Sequence, residues 1–464
     1  MRRGSVLFNS LEFLILFLPA VYGIARVLRG NPLLFWLSLA SFAFYAFAGH
    51  AWFLVPMAIT TTLDYYIGRR LAVTKHRRAY LAISLVGNLG LLCYFKYSPL
   101  IARTIDQLGL SAHIGGALHV VLPAGISFYT FQTLAYVIDI YRGGSQPERN
   151  FFKYVAFVAF FPHLVAGPLT RHDQLLPQLG VIARGGITPR LREGVYLFAI
   201  GLCKKVLIAD RIANVIDPMI ALLSKQGAAG AWLALVGYSL QIYFDFSGYS
   251  DMAIGLGRLF GIELPRNFNS PYQASSPSDF WRRWHITLSQ WLRDYLYISL
   301  GGNRISPLRT KINLMATMVL GGLWHGANWT FALWGAYHGL LLVGYHRCQR
   351  GWDRLPLRVQ QVATYLLVCI GWVFFRASSV HQMHVWFARL VGMRGLFGDH
   401  VLGQDVFPLA GLIAIALAVA MSLRNALELD LANLRRPAVA GLAVASVFAV
   451  LFMNYSSKFL YFQF

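Results

Sequence analysis

Apolar runs recur along nearly the whole chain, and no other feature restricts its fold as strongly. Leu11–Ile24, Leu33–Phe47, Leu81–Tyr94, Val195–Leu202 and Leu409–Met421 are representative. A helix needs about 20 mostly apolar residues to cross a bilayer, where no water can satisfy an open backbone. About ten to thirteen segments qualify by this measure. Of 464 residues, 57% are hydrophobic and 13% charged, about half the charge density of soluble proteins. The expectation is an all-α polytopic membrane protein. The run after Met1-Arg2-Arg3 lacks a small-residue cleavage site and leads straight into further apolar segments. It is therefore read as a first membrane segment with no removed leader.

The net charge of +22, from 41 basic and 19 acidic residues, would suggest nucleic acid in a soluble chain. Here the cations lie in short loops between apolar runs, the bias expected of cytoplasmic loops facing anionic lipid. Nucleic acid is excluded as a partner, and the lipid bilayer takes its place. RRLAVTKHRR, residues 69–78, carries five Lys or Arg in ten positions. Placing it in the cytoplasm puts the Ala48–His50 turn outside and the Arg26/Arg29 loop inside. The amino terminus then begins outside, against the weaker pull of Arg2 and Arg3. Cys93, Cys203, Cys348 and Cys369 are far apart in apolar surroundings and read as small buried hydrophobes.

The chain reads as one membrane domain over residues 1–464. Residues 1–100 give conventional helices, 120–345 a core with re-entrant segments, and 352–464 further apolar helices. The core is polar and interrupted by Gly and Pro, which at membrane depth is tolerated only where protein or a water-filled cavity lines the backbone. PAGISFYTFQTLAYVIDIYRG (Pro123–Gly143) brings Gln132 and Asp139. Gln241–Tyr272 brings Asp245 and Asp251, each costing at least about 2.5 kcal/mol if ionised at the bilayer centre. Both should face inward, with Tyr249, Ser247, Ser250 or an Arg as partners, either in a structural polar network or against substrate. In residues 276–304, Ser276, Pro277 and Asp279 fit an N-cap, a first-turn proline and an acid at N3. Trp281, Trp284, Leu288, Trp291 and Tyr295 then make an aromatic stripe at helical spacing. Arg282, His285, Ser289 and Arg293 occupy another face, and Gly301 and Gly302 close the element. Such a helix suits a membrane interface or a cavity wall.

Most of the thirteen histidines need no special account. His76 is in the basic loop, His113 and His119 flank an exterior loop, and His346, His381 and His384 lie near segment ends. His325 differs. GGLWHGANW, residues 321–329, sets its imidazole inside an apolar helical pattern from about Ile312 to Val343, with Gly321, Gly322 and Gly326 around it. Glycine costs up to about 1 kcal/mol against alanine in a helix interior. These three must serve close packing, a kink or passage of a ligand. The ring either bonds a neighbouring helix or acts as a general base, since neutral imidazole can take a hydroxyl proton. No helix carries two histidines at i, i+4 with acidic support, so no metal site is expected.

PAGISFYTFQ, FVAFFPHLVAGPL (157–169), YFDFSGYSDMAIG, DFWRRWHITLSQWLRDYLYISLGGNR and GGLWHGANWTFALWGAYHG occur in that order. Together they resemble the membrane-bound O-acyltransferase family, nearest its bacterial branch that acetylates alginate. Other members of that branch serve cellulose and peptidoglycan acetylation and D-alanyl transfer to teichoic acid. The opening MRRGSVLFNSLEFL and the closing NYSSKFLYFQF fit the same pattern. The resemblance implies a ring of about 11 to 13 transmembrane and re-entrant helices around a central tunnel, which joins a cytoplasmic donor site to a funnel on the far side. It implies an essential His325 and a second histidine, His285, forty residues earlier. Asp245, Tyr249, Asp251, Arg282, Arg283, Trp324, Asn328 and His338 would bind donor or substrate or line the tunnel. Arg282 and Arg283 suit donor phosphates, or equally snorkel to head groups, and the glycines beside His325 would admit a pantetheine arm.

The function so implied is O-acetylation of an exopolysaccharide such as alginate, in the bacterial inner membrane. The donor substrate would be acetyl-CoA, with no tightly bound cofactor. A periplasmic SGNH-type acetyltransferase would finish the transfer. Another envelope polymer is an alternative acceptor. A lipid-linked saccharide transporter or a structural scaffold of an export complex would also fit the interrupted helices, although a transporter would show inverted repeats, which the sequence lacks.

Overall fold

The computed structural model describes residues 7–107, 109, 121–397, 406–453 and 459–460. The expectations on Arg2 and Arg3, on His113 and His119, and on most of the closing aromatic segment lie outside them. The described residues are helical, with no strand among them. Among the described residues, three helical stretches could cross a membrane by length and composition: Gly30–Ala48, Arg77–Asp106 and Leu357–Arg376. Phe13–Val27, Pro408–Ser422 and Arg436–Leu451 are shorter apolar helices. Others, such as Ala228–Leu259 and Trp329–Trp352, are long but carry more polar residues.

The chain forms two compact units. The first comprises Met1–Ile200, Tyr249–Pro265 and Leu431–Leu442; the second comprises Gly201–Gly248, Arg266–Asp430 and Ala443–Phe464.

In the first unit, α1 (Leu18–Val27), α2 (Gly30–Ala48), α3 (Leu54–Leu71) and α4 (Arg77–Leu92) run in sequence. Further along come α5 (Ile126–Arg142), α6 (Phe151–Ala159), α7 (His172–Gly185) and α8 (Leu191–Cys203), the last of which passes into the second unit at Gly201. Polar bonds fix their packing as much as apolar contact does. Asp64 of α3 is fully buried and accepts from Ser84 Oγ (2.6 Å) and Asn88 Nδ2 (2.8 Å) of α4. Thr133 of α5 joins through Asn88 Oδ1 at 3.2 Å. A buried carboxylate is stable only with such donors around it. Lys96, also buried, donates to Ser127 Oγ at 3.3 Å. Gln132 of α5 reaches the Thr170 carbonyl, and Asp139 stands 3.8 Å from the His172 ring at the start of α7.

The second unit opens with a π-turn, Lys204–Ala209, and α9 (Asp210–Ala221). Helix α10 (Ala228–Leu259) contributes to it up to Gly248 and to the first unit from Tyr249. Then come α11 (Pro277–Arg283), α12 (Ile286–Trp291), α13 (Pro307–His325), α14 (Trp329–Trp352), α15 (Leu357–Arg376) and α16 (Val380–Leu390). Starts of these helices are chemically marked. Ser276 Oγ accepts from Asp279 N at 3.1 Å, Ser306 Oγ from Arg309 N at 3.2 Å, and Ser379 Oγ from Gln382 N at 3.1 Å. Each satisfies an otherwise orphaned first-turn donor.

Two long helices expected from periodicity are broken. Residues 276–304 form α11, α12 and a π-turn, Leu292–Tyr297, with the break at Trp284–His285. The stretch from Ile312 to Val343 is a helical hairpin that turns at Gly326–Asn328. Asn328 caps α14, its Oδ1 accepting from Thr330 N at 3.2 Å, while its Nδ2 donates to the Ser378 carbonyl at 2.8 Å. The glycines explain how close the hairpin is. A Cβ on Gly322 would lie 2.2 Å from the Phe331 carbonyl oxygen, and one on Gly335 would lie 2.2 Å from that of Met318. Backbone meets backbone here, as only glycine allows. The cysteine expectation holds for buried Cys369, whereas Cys93 and Cys348 are exposed.

Candidate active site

His325 is the last residue of α13. Gly326, in extended conformation, follows it, and the side chain is buried among aromatic rings. Trp324, Trp334 of α14 and Phe375 of α15 present their rings edge-on, with centroids 5.0, 5.1 and 5.2 Å from the imidazole. The helix end therefore carries a polar ring inside an apolar cage.

His285 lies beside it, ring centroids 6.2 Å apart. It is the residue at which the expected amphipathic helix breaks, with φ 42° and ψ 53°. A left-handed residue with a Cβ costs on the order of 1–2 kcal/mol, and such outliers persist where surrounding structure fixes them. The fixing group is Asn267, fully buried. Its carbonyl oxygen accepts from Ile286 N at 2.9 Å. Its side-chain Oδ1 accepts from Thr287 Oγ1 at 2.9 Å and stands 3.1 Å from His285 Nδ1. Phe246 of α10 lies across the His285 ring at 4.8 Å. Contrary to a placement on a polar face with Arg282 and Arg293, His285 is wholly buried while those two arginines are exposed.

His338 of α14 completes the cluster one layer away. Its ring packs against Trp334 (4.9 Å), Trp281 (5.2 Å) and Phe280 (6.1 Å, stacked). A Cβ on Gly371 would come within 2.8 Å of its Nε2. This is a packed ring against a close helix crossing.

A cavity of about 300 Å³ reaches His325. Trp281, Leu288, Leu292, Met318, Gly321 and Trp334 line its inner part, with Arg293, Thr310 and His346 also on its wall. Along α13, Thr310 to His325 spans about 22 Å at 1.5 Å per residue. The cavity is thus a slot along the α13–α14 hairpin, aromatic and apolar at the histidine end. Of the three glycines near His325, Gly321 lines this slot. Gly322 serves the hairpin contact, and a Cβ on Gly326 would strike the Phe331 ring at 2.1 Å.

Other candidates are placed elsewhere. Asp245 is buried, but its partner is Lys205, at 2.6 Å, and not the serines, tyrosine or arginine expected. Lys205 also holds Asp210 at 2.8 Å, and Asp245 accepts the Leu460 backbone N–H at 2.9 Å. That is a structural charge cluster. Tyr249 and Asp251 belong to the first unit, both buried, Tyr249 stacked on Phe8 at 4.8 Å. Arg283 is committed to Asp279 (2.9 Å) and the Asn269 carbonyl, whereas Arg282 is exposed. Trp324 stands against His325, ring centroids 5.0 Å apart, and Asn328 shapes the hairpin turn. Among the described residues no three His, Cys, Asp or Glu side chains gather as a metal site would need. Sequence reading missed Asn267, Trp334, Phe375 and Lys205. Only Lys205, a cation in the apolar stretch after Leu202, left a local trace.

The model of the membrane-bound O-acyltransferase family matches residues 147–380. The chain is 42% identical to a probable alginate O-acetylase of Azotobacter vinelandii, over 86% of this chain and 80% of that protein. It is 34% identical to a peptidoglycan O-acetyltransferase of Helicobacter pylori, over 100% of this chain and 98% of the other. A teichoic acid D-alanyltransferase of Bacillus subtilis is 27% identical over 56% of this chain and 70% of its own length.

Proposed function

We propose that this chain, which belongs to the membrane-bound O-acyltransferase family and is a polytopic membrane acyltransferase, carries acetyl groups across the bacterial inner membrane to a hydroxyl of an exopolysaccharide such as alginate. The donor in this reading is acetyl-CoA on the cytoplasmic side. The observation that carries the reading is His325 standing at once beside His285 and at the inner end of the α13–α14 slot.

The chemistry follows from the surroundings. An acceptor hydroxyl gives its proton to the His325 imidazole as its oxygen attacks the thioester carbonyl. The tetrahedral centre collapses, the C–S bond breaks, and the departing thiolate takes the proton back. General-base assistance of this kind contributes about 10² to 10⁴ in rate. His285 positions the donor or assists the proton transfer. The aromatic walls keep water from the thioester, limiting hydrolysis.

Charge supports the direction of entry. In sequence, the slot residue Thr310 is flanked by Arg304, Arg309 and Lys311, and the slot residue His346 is followed by Arg347 and Arg350. Short basic loops favour the cytoplasm, where the nucleotide half of the donor would remain. Exposed Arg282 is a candidate contact for donor phosphates. The acyl group then passes to the polymer through a periplasmic SGNH-type acetyltransferase. The full-length match to a peptidoglycan O-acetyltransferase keeps peptidoglycan as the second acceptor to test.

Replacing His325 and His285 separately by Ala, and measuring ester-linked acetate on the polymer at matched protein abundance, tests the reading. Acetate should fall at least about a hundredfold for His325→Ala. Unchanged acetate would leave a transporter or scaffold instead.

A further inference from the structure

The break at His285 has its own machinery. Asn267 lies eighteen residues upstream, beyond α11, yet its backbone carbonyl and its side chain both return to the break. Its carbonyl oxygen takes the Ile286 N–H, and the neighbouring Asn269 N–H donates to the Arg283 carbonyl at 2.9 Å. Its Oδ1 takes the Thr287 hydroxyl at 2.9 Å and the Thr287 backbone N–H at 3.4 Å. A backbone N–H can only donate, so the side-chain atom facing Thr287 is the amide oxygen and not the amide nitrogen. The same oxygen stands 3.1 Å from His285 Nδ1. An amide oxygen has no proton to give, so the proton in that bond belongs to Nδ1, and the lone pair of the neutral ring is left on Nε2.

We infer that Asn267 is a positioning residue for the acyl transfer: it locks His285 in the left-handed break and in the Nδ1–H tautomer, so that Nε2 is the proton-accepting nitrogen offered beside His325. This rests on the acyltransferase reading above. Asn267 touches neither donor nor acceptor; it acts through His285. Second partners that fix a working imidazole's tautomer are a general device of metal and acid–base sites. Asn267 supplies the neutral form of it, a carbonyl in place of a carboxylate. Among the rings facing His285 are Phe246, Trp324 and His325; of these three only His325 titrates.

The test uses membranes carrying the full chain, made in a polymer-producing strain deleted for its own acyltransferase of this family. They are supplied with radiolabelled acetyl-CoA, and label in the polymer is followed across pH. Asn267→Asp keeps every acceptor contact but places a negative charge on Nδ1–H. A carboxylate favours the imidazolium form, so the neutral ring appears at higher pH. The acid limb of the rate, set by the His285–His325 pair, should move up by about one pH unit. Asn267→Leu removes the acceptor and should lower the rate at least about tenfold with little change in the KM for acetyl-CoA. An acid limb unmoved in Asn267→Asp overturns the inference, as does wild-type rate in Asn267→Leu. Should the Leu variant fail to accumulate, the isosteric Asp variant decides by its limb. His325→Ala runs alongside: if it transfers label normally, the acyltransferase reading itself has failed, a result separable from failure of Asn267 alone.

Discussion

Gly335 offers the sharpest test of how the hairpin holds the histidine pair. A Cβ at this position would lie 2.2 Å from the Met318 carbonyl oxygen and 2.8 Å from the Met318 carbonyl carbon and Val319 Cα. These are backbone atoms of α13, so no side chain can swing aside. Ordinary contact begins near 3.4 Å, so Gly335→Ala must part α13 from α14 by about 1.2 Å at that level. Overpacking of this kind costs about 1–3 kcal/mol. The displacement also moves Trp334 against His325, whose rings now stand 5.1 Å apart. A misplacement of about 1 Å costs on the order of a hundredfold in rate. Gly344 lies on the same helix, and a Cβ there would meet nothing within 4 Å. Gly344→Ala should therefore be neutral or stabilise by up to about 1 kcal/mol. The assay pairs thermal unfolding of detergent-solubilised protein, read by the loss of its size-exclusion peak, with polymer acetylation in membranes. Expected is a lower midpoint and about a hundredfold slower transfer for Gly335→Ala, and neither for Gly344→Ala. Equal midpoints and rates for the two variants would refute the argument from hairpin packing.

Three further outcomes follow from particular contacts. Lys205→Met leaves Asp210 and Asp245 facing each other in the core without their ammonium, which should destabilise by about 3–5 kcal/mol; wild-type accumulation in membranes and an unshifted unfolding midpoint would contradict this. Asp64→Ala orphans the Ser84 and Asn88 donors and should cost about 1–3 kcal/mol, seen as a lower midpoint without loss of specific transfer rate per folded molecule. Ser276→Ala removes the cap of α11 and should cost about 1 kcal/mol, with His285 chemistry intact because Asn267 holds the break independently.

The sequence by itself determined the class of protein. Apolar runs with few charges leave helices in a membrane as the only solution, and five long motifs in order mark the acyltransferase family. The helix start at Ser276 was also legible, since a cap and its first turn are neighbours in the chain. His325 was legible as a residue out of place in an apolar pattern, whereas helical spacing put His285 on a polar face and only the family resemblance singled it out. What periodicity could not give was where helices stop. The stripe from Trp281 to Tyr295 continues smoothly through His285 because period reports which face is apolar, whatever the backbone does between turns. The break there is made by Asn267, and the turn after His325 by Asn328 reaching Ser378 fifty residues on. Asp245 was rightly placed inside, but its partner Lys205 lies forty residues away. Such pairings are chosen by which helices pack together, and packing is a property of the folded chain that no local window contains. The tertiary structure alone therefore decided that His285 and His325 share one aromatic cage at the end of a slot.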